Sequence, residues 1–249
     1  MTDVVGRRGN EYLITGSLIL IAAVSWWVTV RLASGMSGTG MAFVFPPYML
    51  GWVAMMGAMM LPAVTPVVRL YGRAAARNRV APTGSFVSGY LLVWIATGVP
   101  AYFLWRAMAM PLMDGEAWAA RTAGIVLLVA GAYQLTPLKR ACLRHCRSPM
   151  SVFLRMSTNL ARSSGALRAG GTHAVYCFGC CAGLMVVLVA AGSMQLWWAA
   201  AIAVVIYLER NGPAGERLAL VAAATLAALG VALLANPTLI STLVQGGMA

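Results

Sequence analysis

At 249 residues the chain is 61% hydrophobic and only 10% charged, with a mean hydropathy of +0.80, whereas about a quarter of residues are charged in soluble domains; a soluble globular domain is excluded. A net charge of +12 would point to nucleic acid in a soluble protein, but these lysines and arginines flank long apolar runs, where they set orientation and meet anionic lipid. Nucleic acid is therefore discounted, and the lipid bilayer is the expected partner of an all-α, polytopic membrane helical bundle.

In chain order, runs of about 20 apolar residues, the length needed to cross a bilayer, predict seven spans. They are Tyr12 to Arg31, Tyr48 to Leu70, Phe86 to Trp105, Trp118 to Gln134, Ala174 to Met194, Leu196 to Leu208 and Leu218 to Leu234. The first follows Arg7 and Arg8 but lacks a small-residue cleavage pattern, so an uncleaved span is expected rather than a signal peptide. The sixth is short and set off only by Ser193-Met194-Gln195, so six spans with a bent or re-entrant pair is the alternative. In the seven-span arrangement only Arg31, Arg106 and Arg121 of the 18 basic residues fall on one side. The positive-inside rule then places the amino terminus in the cytoplasm and the carboxy terminus outside. Residues 1–249 form one membrane domain, with a cytoplasmic loop over 136–172 whose stretch from Met150 to Leu167 reads as an interfacial helix.

The second span carries Met55, Met56, Met59 and Met60, two thioether pairs four residues apart on adjoining faces of one helix. Methionine is more often a flexible core filler, but thioethers also bind Cu(I). Outer-loop Met36, Met41, Met108, Met110 and Met113, membrane Met55 to Met60 and inner cysteines together make a series of increasingly strong soft ligands. That order suits copper moving from outside to inside.

Every cysteine and histidine lies between positions 142 and 181: Cys142, His145, Cys146, His173, Cys177, Cys180 and Cys181. Cys142, His145 and Cys146 share a face if the fourth helix continues past Pro137, with Arg140, Arg144 and Arg147 beside them to favour thiolates. His173, Cys177 and Cys181 stand one turn apart, Cys180 adjoins them, and Met185 extends the stripe. Thiols with imidazoles at one depth fit Cu(I), with Zn(II) as the alternative. Each cysteine alone could equally be a small packing residue; the gathering of both histidines favours metal. A cytoplasmic side disfavours structural disulfides. No ionisable group sits centrally in a span and no phosphate-binding loop is present, so coupled secondary transport and an ATP-driven pump are disfavoured.

Three blocks carry a family resemblance: Trp52 with Met55-Met56 and Ala58 to Pro62; Tyr133 to Lys139 running into Cys142 to Pro149; and His173, Tyr176-Cys177, Gly179-Cys180-Cys181 and Leu184-Met185. They resemble the bacterial DUF2182 family, described as predicted metal-binding integral membrane proteins. The resemblance covers about Trp52 to Glu209 and implies a metal site at the cysteines, histidines and methionines named above. The chain departs from the family pattern at Ala182, Gln195 and Arg210.

Function is thus expected to be membrane copper capture, handling or delivery to a membrane copper enzyme or a metallochaperone. The rivals are a non-catalytic accessory subunit of a membrane-bound copper oxidase or oxygenase and a membrane thiol-disulfide oxidoreductase. No catalytic residue is assigned, because no carboxylate adjoins either histidine in sequence.

Overall fold

The computed structural model describes residues 2–36, 44–76, 80–114, 116–148, 160–190 and 196–239, and among these it has eight helices. The helices are α1 (Thr2–Met36), α2 (Phe45–Ala75), α3 (Thr83–Met113), α4 (Ala117–Gln134), α5 (Pro137–Arg147), α6 (Ser163–Ala190), α7 (Leu196–Asn211) and α8 (Gly215–Ala235). No strand occurs among the described residues. Met41, Arg77, Arg79, Arg155, the separator at 193–195 and most of the expected interfacial helix, positions 150–159, lie outside them.

Five helices are long and apolar enough to cross a membrane, or six if the bent α4–α5 pair is one span. Two of the expected seven, the fourth and the sixth, are not among the five. The sixth corresponds to α7, which is 16 residues long as described. The fourth is α4, which does not run on through Pro137: α5 leaves it at 61°. The cause is local. A residue before proline is pushed out of the helical region, and Thr136 sits extended at φ −68°, ψ 148°. Its Oγ1 then accepts from the Lys139 backbone N–H at 3.3 Å, with Pro137 in the first turn, where no N–H is required. The break thus ends one helix and caps the next.

α6 starts at Ser163, well before the expected Ala174. Hydropathy sets the earlier expectation, but the polar and glycine-rich turn over 163–173 stays helical because it packs against α3. At that crossing a Cβ on Gly89 would collide with the Leu167 carbonyl, and one on Gly170 with the Phe86 carbonyl. Backbones meet directly there, the usual role of small residues in membrane helix packing.

Burial orders the bundle. Within their most apolar windows, α2 is 61% and α6 56% buried, against 17% for α1 and 28% for α3 and α8. α2 and α6 are therefore the inner helices, and large apolar side chains such as Trp27, Val129 and Val221 face outward as lipid-contacting surface would. α3 lies along α6, α1 along α2 and α8 along α4, while α5 packs on α6 and α7 lies between α2 and α8, touching α6.

Candidate metal centre

α6 presents one continuous buried stripe, His173, Cys177, Cys180, Cys181, Leu184 and Met185, at the three- and four-residue spacing of a single helix face. The sulfurs of Cys177, Cys180 and Cys181 all lie within 4.8 Å of one another. Cys180 and Cys181 each donate to the Cys177 carbonyl at 3.0 Å. Three thiols thus converge on one point.

α5 adds a fourth. Its buried face carries Lys139, Cys142, Leu143 and Cys146, and Cys146 neighbours Cys177 and Cys180, outside the group whose sulfurs all lie within 4.8 Å of one another. Cys177 is the hub, touching Cys146, Cys180 and Cys181. The 61° break at Thr136 is what turns this face of α5 toward α6. Cys142 stands at the edge, over Gly179, where a Cβ would come 2.7 Å from its Sγ. All five thiols are free.

The histidines take different places. His173 is buried, with Nε2 3.4 Å from an Arg210 nitrogen and Nδ1 without a partner. His145 is half-buried and stacks on Tyr176 at 3.8 Å between ring centroids. Neither joins the group whose ligand atoms all approach within 4.8 Å. Met185 is buried one turn beyond Cys181 and lines an apolar cavity of about 150 Å³ with Trp52, Trp94 and Phe178. Met55, Met56, Met59 and Met60 are all buried along α2, a position that packing and ligation share.

Five polar residues at or beside the site were not among the expected ligands. Arg210, in the last turn of α7, donates from Nη1 to Cys177 Sγ at 2.8 Å. The Tyr90 hydroxyl of α3 meets the same sulfur at 3.2 Å. Lys139 bonds Glu209 at 2.7 Å and also Gln134. The arginine on the thiols is therefore not one of those adjacent in sequence: Arg140, Arg144 and Arg147 are exposed, and Arg147 caps the Gly212 carbonyl at 2.6 Å. The one available hint was the Glu209-Arg210 pair ending an otherwise apolar helix.

Chemically, the centre is a buried group of soft donors next to a fixed positive charge. Three sulfurs within 4.8 Å of one another, with Cys146 beside them, can hold a soft cation, and a guanidinium on one sulfur favours its anionic, metal-bound form. The family model that matches this chain, over residues 49–233, is described as PpoB2: Copper chaperone. The match runs from α2 into α8 and takes in every residue of the thiol cluster. No curated protein and no solved structure matches the chain.

Proposed function

The chain belongs to the PpoB2 copper-chaperone family, and from that premise we propose that it is a membrane protein that binds Cu(I) at Cys177 with Cys146, Cys180 and Cys181 and passes it to another protein. A copper-handling role follows from the family together with the buried Cys177, Cys180 and Cys181 cluster. The observation that carries the site is the convergence of three buried thiols of α6, with Cys146 of α5 beside them, in the interior of an apolar bundle. Monovalent copper is the fitting ion because it is soft and accepts two or three thiolates. The likeness of the same blocks to DUF2182 proteins supports this assignment.

The remaining soft donors fit a path. Met185 and the cavity beside Trp52 lie on the far side of Cys181 from Cys142, and the four α2 methionines supply weaker, exchangeable thioethers. Cys142 and His145 stand on the other side, at the edge of the cluster. In the seven-span arrangement with the amino terminus in the cytoplasm, copper enters past thioethers and leaves past thiols, toward a cytoplasmic metallochaperone or a membrane copper enzyme.

Anaerobic metal analysis of the purified protein tests the proposal. Stoichiometric copper is expected in the wild type and none in a variant with Cys177, Cys180 and Cys181 all changed to serine. Equal copper in the two proteins would overturn the assignment. Reversible disulfides trapped by alkylation, without bound metal, would point instead to thiol-disulfide chemistry at the same sulfurs.

A further inference from the structure

We infer that Arg210 is the fixed counter-charge of the loaded thiol cluster and thereby selects a metal complex of net charge −1; this rests on the copper reading above. Arg210 is 5% exposed. Its Nη1 is 2.8 Å from Cys177 Sγ, its Nη2 is 3.4 Å from His173 Nε2, and its Nε has no partner. A guanidinium stays charged in any protein environment, and a buried charge demands an opposite one.

No carboxylate among the described residues provides it. The adjacent Glu209 is committed to Lys139 at 2.7 Å. Glu11 is held by Arg69 and Arg73, while Asp114, Glu116 and Glu216 are exposed. The group that the guanidinium meets is a sulfur. A neutral thiol leaves the cation unbalanced; a metal-bound thiolate balances it.

The charge arithmetic then chooses the complex. When Cys177 and one neighbouring thiol bind Cu(I), two protons leave, two copper–sulfur bonds form and copper remains monovalent. Two thiolates and one Cu(I) sum to −1, which Arg210 cancels. The same two thiolates on Zn(II) sum to zero; Zn(II) reaches −1 only by taking a third thiolate from the trio. The Tyr90 hydroxyl on Cys177 disperses the sulfur's charge without altering the total. Arg210 thus sets the net charge of the complex, acting through Cys177.

The test is an anaerobic competition of the full-length, detergent-solubilised protein against a Cu(I) chelator, and separately against a Zn(II) chelator, for wild type, Arg210→Met and Arg210→Lys. Removing one member of a buried charge pair predicts that Arg210→Met weakens Cu(I) binding by about a hundredfold. Arg210→Lys restores most of the Cu(I) affinity, because it keeps the charge. Arg210→Met holding Cu(I) as tightly as wild type would overturn the inference. So would a parallel loss of both metals in Arg210→Met and Arg210→Lys, which is the signature of a purely structural arginine. A wild type that takes up no Cu(I) overturns the copper reading itself, and this inference with it.

Discussion

Lys139 of α5 and Glu209 of α7 form an ion pair at 2.7 Å with side chains 1% and 2% exposed, and Gln134 at the end of α4 completes the set. The pair brings the helix that carries Cys142 and Cys146 to the helix that carries Arg210. It is the clamp on the metal centre. Removing one partner strands a buried charge, which costs about 3–5 kcal/mol. Lys139→Met is therefore expected to lower the thermal unfolding midpoint sharply and to reduce copper retention, whereas Lys139→Met combined with Glu209→Leu recovers much of the stability. A single variant as stable as wild type would remove the clamp from the account.

The five cysteines are not equivalent. Cys177 touches three other thiols, Arg210 and Tyr90, whereas Cys142 lies outside the close trio, at Gly179. Cys177→Ser is expected to abolish bound copper, and Cys142→Ser to leave equilibrium copper content intact while slowing transfer to a competing chelator. Copper content and stopped-flow transfer, measured side by side, separate the two roles. Equal loss of copper in both variants would contradict the ranking.

Gly179 is the seat of Cys142. A methyl group there would sit 2.7 Å from the sulfur, closer than real carbons approach, so the Cys142 sulfur must turn from its place or α5 must shift. Gly179→Ala is expected to destabilise the protein by about 1–3 kcal/mol, the usual cost of overpacking. Adding Cys142→Ala, which removes the opposing atom, restores part of that loss. Thermal unfolding of the three variants in one detergent checks this, and a double variant no more stable than Gly179→Ala would count against it.

Tyr90 gives the mildest effect. Its hydroxyl meets Cys177 Sγ at 3.2 Å, and one hydrogen bond contributes about 1 kcal/mol net. Tyr90→Phe is expected to weaken Cu(I) binding by about fivefold, in chelator competition, with the helical signal unchanged. A loss as large as that expected for Arg210→Met would give Tyr90 a greater role than a hydrogen bond.

Much of the architecture was legible from composition and periodicity alone. The apolar runs located the long helices, with close bounds for α4, expected over Trp118 to Gln134 and found at Ala117–Gln134. Spacing also put His173, Cys177, Cys181 and Met185 on one face of α6, because a helix repeats with a known period. The start of α6 was misplaced by hydropathy, since Gly170 and its polar neighbours stay helical through a close crossing with α3 that lies far away in sequence. The break at Thr136 was written in a local cap, yet its consequence, the turning of Cys146 toward Cys177, required both helices.

What the sequence by itself determined about this protein is its class, its helices and the ligand types available to it. Only the tertiary structure decided which of those ligands meet. Cys146 joins the trio while His145 stacks on Tyr176, and Arg210, 33 residues from Cys177 along the chain, becomes the charge beside it. The physical reason is that periodicity reports which residues share a face of one helix; which face of another helix comes to rest there is settled by packing across the whole bundle.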